Sequence, residues 1–228
     1  MLESSAFVAG AVAFAAVIFP EVTLVKCAHA DEVRVAERPD YQAGDMFEYV
    51  DRFQTVRCRK WEVKGRDAKG YGLFQCEGNV AYFSPETGAL VRILGRDGKT
   101  LVSFDPSAPP FPYPLRIGKT WSGSFKLSTA EDSFSTDVTQ DCAVTAYEQV
   151  HVVAGDFQAF RMECETNWSV GPFQGEGTMT MWYAPQARAL VKAVNDSDDK
   201  WNMELARYRL AAPETKAADA HVRGGAEK

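Results

Sequence analysis

Between Asp45 and Leu210, apolar residues recur at every second position, and turn-forming residues interrupt them at intervals of roughly eight to twelve. A period of two belongs to strands with one face on a core and the other on solvent, whereas a helix would repeat at about 3.6. No amphipathic helix of ordinary length appears in this stretch. The expected fold class is all-β: an antiparallel, strongly curved sheet, half-barrel or sandwich, built largely from hairpins. Thirteen strands are expected, from Asp45 to Asp51 through to Trp201 to Tyr208. They include Gln54 to Val63, Tyr71 to Cys76, Phe134 to Val138, Asp141 to Val152, Phe157 to Trp168 and Gly177 to Tyr183. The five prolines between Asp105 and Pro114 have no N–H to give a ladder, so that stretch reads as a long crossover between sheets or sub-layers.

The facing of the strands around Gly155 follows from the same alternation. Cys142, Val144, Ala146, Val150 and Val152 share one face, with Glu148 as its polar exception. Thr145, Tyr147, Gln149 and His151 share the other. On the next strand Phe160, Met162, Cys164 and Trp168 align opposite Ala159, Arg161, Glu163 and Glu165.

Cys58 and Cys76 flank one turn-like stretch, and Cys142 and Cys164 flank another. With neither CxxC redox spacing nor paired metal-ligand spacing, structural disulfides are the expected use of these thiols. Four cysteines allow three connectivities, and short closures favour Cys58 with Cys76 and Cys142 with Cys164. The first pair is centred on Asp67, inside its turn. The second is centred on Val153, just before Ala154-Gly155-Asp156, and needs a bulge. Cys58–Cys76 is therefore the pair expected in register.

Such bridges persist in oxidising compartments, and the N-terminus agrees. Ala6 to Phe19 is an uninterrupted apolar run of signal-peptide length, short of a membrane span, and Ala28-His29-Ala30 fits a signal peptidase site. Residues 1–30 are thus expected to be a signal peptide, 31–210 one β domain and 211–228 a disordered tail. The mature chain has no expected transmembrane segment, and its place is periplasmic or secreted. Cleavage removes Lys26, Glu3 and Glu21, leaving 24 basic residues (25 less 1) against 29 acidic ones (31 less 2). That mildly acidic balance argues against nucleic acid as a partner.

Three segments carry a resemblance: Pro114 to Trp121 (PLRIGKTW), Val152 to Arg161 (VVAGDFQAFR), and Trp182-Tyr183-Ala184-Pro185 followed by Ala189 to Lys192. In order and spacing these are similar to a group of exported bacterial β domains of unknown function, including TapB-like proteins. The resemblance implies an extracytoplasmic antiparallel β protein and brings no catalytic residues. The chain departs from that pattern at Gln186-Ala187-Arg188, where glycine is common, and in its four cysteines.

Candidate chemistry is sparse. His151 and His221 are the histidines beyond residue 30, the first on a polar strand face and the second in the tail. Gly118-Lys119-Thr120 lacks the upstream glycine and following helix of a phosphate loop, and Trp121-Ser122-Gly123-Ser124 lacks the nucleophile elbow. Asn195 to Asp199 concentrates three carboxylates, but an EF-hand-like loop begun at Asp196 would have Trp201 at its sixth position and Arg207 at its twelfth. Asn167-Trp168-Ser169 and Asn195-Asp196-Ser197 are glycosylation sequons, relevant only to secretion by a eukaryote. No catalytic, cofactor or metal residue is assigned, and no cofactor is expected. The aromatic residues, including Trp61, Trp121, Trp168, Trp182 and Trp201, exceed what turns need; ordinary core packing is their first expected use, and lining an apolar cavity inside a curved sheet is the alternative.

The function expected from these features is a non-enzymatic exported β protein that binds a hydrophobic small molecule, a lipid or an envelope protein. One alternative is an interaction module that accepts a partner strand at a sheet edge. Another is a hydrolase using carboxylates such as Asp156 or Glu176, which requires a cavity holding two of them.

Overall fold

The computed structural model describes residues 34–51, 58–130, 135–197 and 202–212. The expected signal peptide, the tail beyond 212 with His221, and Asp198, Asp199 and Trp201 lie outside the described residues. So do 31–33 and parts of two expected strands (54–57 and Phe134).

Twelve strands among the described residues form one closed antiparallel barrel. They are β1 (Met46–Asp51), β2 (Lys60–Arg66), β3 (Gly72–Cys76), β4 (Asn79–Phe83), β5 (Leu90–Leu94) and β6 (Thr100–Asp105). The longer half follows with β7 (Thr120–Thr129), β8 (Thr136–Val152), β9 (Gly155–Val170) and β10 (Phe173–Ala184), then β11 (Ala189–Asn195) and β12 (Met203–Arg209). Each strand pairs with the next in sequence, and β1 returns to pair with β12. The curvature expected of the sheet thus runs through to closure. Register shifts at Glu48/Tyr49, Val63/Gly65, Tyr82/Phe83, Ile93/Leu94, Val144/Ala146 and Trp182/Tyr183 bend the ladder around the circumference. Each such irregularity adds twist and bends its strand, which closing a sheet requires.

Three expectations need correction. The separate strands at Phe134 to Val138 and Asp141 to Val152 are one strand, β8. Its polar run Thr139-Gln140-Asp141 resembled a turn but is paired on both sides, Gln140 opposite Gly123 and Thr166 and donating from Nε2 to Thr166 Oγ1 at 3.1 Å. The proline-rich stretch joins neighbouring strands β6 and β7 and does not cross to another sheet. It lies back over the barrel end instead, where Leu115 and Ala36 exchange backbone hydrogen bonds of 2.8 and 3.0 Å. Pro109 rests on Gly123 so closely that a Cβ there would stand 2.8 Å from its ring.

The third correction concerns register. Cys142 and Cys164 are direct partners across β8 and β9 and are disulfide-bonded, while Cys58 stands two residues before β2 and bridges to the end of β3. The β2–β3 turn is centred near Lys69 and not at Asp67, because Val63 pairs with Phe74 and Arg66 with Gly72. The directly opposed pair is therefore the one expected to be irregular. The bulge it needs lies at Val144/Ala146, and it also changes the facing. Cys142 and Val144 pack in one cluster with Phe160 and Met162, whereas Val150 and Val152 pack in another with Phe157 and Ala159. Ala159, expected on the polar face, is fully buried. In the chain-entropy account a closure of this length stabilises by about 3 kcal/mol.

Among the described residues the β11–β12 seam is the thinnest, with only Lys192↔Glu204 and Ala193↔Met203 as partners. The tip of the β8–β9 hairpin reinforces it: Ala154 N–H donates to Leu205 O at 2.9 Å and Val153 N–H to the Glu204 carboxylate at 2.9 Å.

A second tie sits at the end where β1 begins. Asp45 is a charged residue at 0% exposure. Its carboxylate accepts from the Gln42 N–H at 2.9 Å, the Ala211 N–H at 2.8 Å and Arg188 Nη2 at 3.1 Å. Arg188, in the left-handed region at φ 54° just after a 3₁₀ turn at Pro185–Ala187, also donates from Nη1 to Asp40 O at 2.7 Å. One buried ion pair therefore joins the segment before β1, the β10–β11 turn and the segment after β12.

Replacing Asp45 by Ala leaves the guanidinium and two N–H groups without their acceptor. Urea unfolding of Asp45→Ala should show a loss of roughly 3–5 kcal/mol, the usual cost of breaking one side of a buried pair. A loss below about 1 kcal/mol would mean that the tie contributes little.

Candidate functional site

A barrel of eight strands has an interior that side chains just fill, and the diameter grows with strand number. Twelve strands leave space that their own side chains cannot occupy. Part of it is filled by the strap 34–45 and the β6–β7 connection. The rest is a cavity of about 420 Å³.

The strands β1 to β6 build most of its wall. Period-two alternation points Phe47 and Tyr49 of β1, Trp61 and Val63 of β2, Phe74 of β3 and Phe83 of β4 into it. Gly65, Gly72 and Ala81 stand among these rings, and their lack of bulk keeps the space open. Tyr183, Leu190 and Met203 close the far wall, and Pro39, Tyr41, Phe111 and Tyr113 reach in from the strap and the connection. Several rings hold one another in place: Phe74 meets Phe83 at 4.7 Å and, edge-on, Tyr41 at 5.0 Å. Such pairs favour edge-to-face or tilted geometry and fix the wall's shape.

Polar groups in the cavity are few. Tyr49 donates its hydroxyl to Leu190 O at 3.2 Å. Tyr113 and Tyr183 meet edge-on, with centroids 5.7 Å apart and hydroxyls within reach of each other, and Tyr41 joins them electrostatically. Burial, first of all, holds the phenols of Tyr41, Tyr49, Tyr113 and Tyr183 above their ordinary pKa of 10.0. They stay neutral donors at any physiological pH. Arg38, Arg66, Ser84, Thr87 and Thr129 complete the polar lining, and among the described residues no Asp or Glu lines the cavity.

Of the tryptophans, Trp61 lines the cavity. Trp121 packs on Phe111 at 6.4 Å, Trp182 donates to Glu148 at 2.9 Å beneath Lys192, and Trp168 lies against Gly175 at the surface. The lining is a phenylalanine and tyrosine surface. Its signal was the alternation of rings on short strands, Phe47 with Tyr49 and Phe74 with Phe83.

The other candidates fall outside the cavity. His151 and Asp156 face each other across the β8–β9 turn, with Nδ1 and Oδ1 2.6 Å apart, and both are exposed. Glu176 is exposed on β10 opposite Asn167, with no place in the cavity lining. Lys119 donates to Pro114 O at 3.0 Å, and Ser122 and Ser124 are exposed on β7. Asp196 accepts from the Thr178 N–H at 2.7 Å, and Asn195 accepts from Ser197. Among the described residues no three His, Cys, Asp or Glu side chains converge as metal ligands.

No family model and no curated protein matches this chain. Two solved structures have some likeness to it. One is a candidate lipoprotein from Parabacteroides distasonis ATCC 8503, 12% identical, covering 77% of this chain and 100% of its own, with a TM-score of 0.48. The other is a candidate exported protein with a YmcC-like fold from Bacteroides fragilis NCTC 9343, 15% identical, covering 76% and 99%, with a TM-score of 0.42. With both scores below 0.5, the functional reading rests on this chain's own residues.

The phenols provide a direct readout of the site. A pKa raised by folding leaves stability intact below about pH 10 and removes it as pH climbs above that value. In an alkaline absorbance titration, four of the eight tyrosines should ionise only together with unfolding. Eight ordinary titrations in a folded barrel would contradict the buried cluster.

Proposed function

We propose that this is an exported, non-enzymatic β-barrel that holds a hydrophobic ligand inside. The observation that carries the reading is the cavity: about 420 Å³, walled by aromatic rings with a few convergent hydroxyls. That size and chemistry are those of a small-molecule site, whose usual range is about 300–1,000 Å³. A core of this size left unfilled would cost stability through lost packing, so keeping it open favours a use for it.

Export is supported by the apolar run at Ala6 to Phe19, by the Ala28-His29-Ala30 site, by two disulfides and by the resemblance to TapB-like domains. Charged residues on the strands, such as Glu62 and Lys64 in an ion pair at 2.9 Å and Arg92 over Tyr82, support a barrel in water. The strand-addition alternative loses its basis, because closure gives every strand of the described sheet two neighbours. The hydrolase alternative has no carboxylate pair in the described lining to stand on.

The neutral dye N-phenyl-1-naphthylamine should bind at one site with a blue-shifted, enhanced emission. Ala81→Phe, which places a ring in the cavity, should weaken binding about 5- to 150-fold for about 1–3 kcal/mol of overpacking against the dye. Undiminished binding to a folded Ala81→Phe protein would place the dye elsewhere. Mass spectrometry of protein purified from its native host should find a copurified apolar molecule released on unfolding. Intact mass should also fit a mature chain beginning at Asp31, gaining two hydrogens per bridge on reduction.

A further inference from the structure

The positive charge of the cavity lies at two adjoining turns, β2–β3 and β4–β5. Arg38 and Arg66 both line the cavity and both are exposed. Arg38, on the strap, donates to the carbonyls of Glu86, Ser84 and Pro85 at 2.9, 3.4 and 3.4 Å. Arg66, at the end of β2, donates to Gly70 O at 3.2 Å, and Gly70 in turn lies against Pro85. Arg38 thus holds the β4–β5 turn directly, and Arg66 sits on the β2–β3 turn that adjoins it through Gly70 and Pro85. Gly88 permits this arrangement, since a Cβ there would stand 2.8 Å from the Arg38 guanidinium.

Carbonyls orient these cations without neutralising them. Neither arginine has an ion-pair partner among the described residues, and no carboxylate shares the lining. Glu86, on the β4–β5 turn, is not a lining residue; it receives the Ser84 hydroxyl at 2.8 Å and feels the Arg38 charge without forming an ion pair with it. The remainder of the lining is apolar apart from neutral hydroxyls. At roughly 30 Å³ per water-sized group, a space of about 420 Å³ holds on the order of 14 such groups. One acyl chain of about that length fits that volume.

From this we propose that the cavity takes a single-chain amphiphile with an anionic head, a carboxylate or a phosphate monoester. The head meets Arg38 and Arg66, and the chain lies among Trp61, Phe104 and Met203. This rests on the reading of the cavity as a ligand site. Planar guanidinium forks suit both head chemistries, and a partly exposed rim lets the head keep some of its water while the chain is buried.

Displacement of N-phenyl-1-naphthylamine by four fourteen-carbon ligands tests it: the fatty acid, its methyl ester, the alkyl phosphate and the alkyltrimethylammonium. At low ionic strength the two anions should bind about tenfold tighter than the ester, and the cation weakest. The advantage should shrink as salt is raised, because the rim is exposed. Which anion binds better decides between carboxylate and phosphate. In R38Q/R66Q, checked for folding by near-ultraviolet circular dichroism, acid and ester affinities should converge, while R38K/R66K should keep the preference in part. An ester that binds as tightly as the acid, or a preferred cation, overturns the proposal and leaves the hydrophobic site standing. If the dye itself does not bind, the ligand-site reading falls with it. The salt series on the unaltered protein decides the matter even if the variants misfold.

Discussion

The Asp45 carboxylate is the junction on which closure and cavity both depend. Burying a carboxylate is costly unless it is paired and hydrogen-bonded, and here three donors from three chain segments converge on it. Because Gln42 belongs to the strap, Arg188 to the β10–β11 turn and Ala211 to the segment after β12, the tie fixes both ends of the meander to each other. It lies beside Tyr41, whose phenol feels both members of the pair, so the same contacts hold the strap over the cavity. Asp45 also accepts from Val63 N–H through its carbonyl at 2.8 Å, carrying the order of the strap into β2.

The two halves of the barrel solve the filling problem differently. The strands β7 to β10 run 10 to 17 residues and pack a cluster around the directly opposed Cys142–Cys164 bridge, with Phe160 and Met162 fully buried. The strands β1 to β6 are 5 to 7 residues long and surround the cavity, with glycine and alanine set between rings. A stapled, fully packed half provides a rigid frame, and the short-stranded half tolerates an unfilled space within it.

Much of this architecture could be read from alternation alone. Strand positions from β3 to β6 and the hairpin around Gly155 followed from period two and turn chemistry, because local pattern decides them. What escaped depended on contacts between distant residues. Asp45 looked like an ordinary strand-initial aspartate, since nothing near it in sequence announces Arg188 or Ala211. The Val144/Ala146 bulge was implied by the offset of the Cys142 pair, yet its consequence for Val150 and Val152 needed the partner strand to be known. Aromatic content pointed first to ordinary core and only second to a cavity, through the tryptophans. Counting rings does not show which face each occupies, and Trp121, Trp168 and Trp182 pack or pair elsewhere.

The location of charge in the site follows from the same division. A carboxylate or lysine pointed into the middle of the cavity would lose its hydration with no partner, so the interior uses phenols, whose neutral form burial favours. Guanidinium groups are tolerable only where water and carbonyls still reach them, which is at the β4–β5 turn for Arg38 and the β2–β3 turn for Arg66. The strap therefore has two attachments of different kinds. One is the Asp45–Arg188 pair, whose carboxylate is out of water and whose guanidinium is only partly exposed. The other is the exposed Arg38 contact with turn carbonyls, where solvent competes and exchange of partners costs little. In the proposed ligand site, a polar end arriving at the rim would meet the second attachment, while the first keeps the barrel closed.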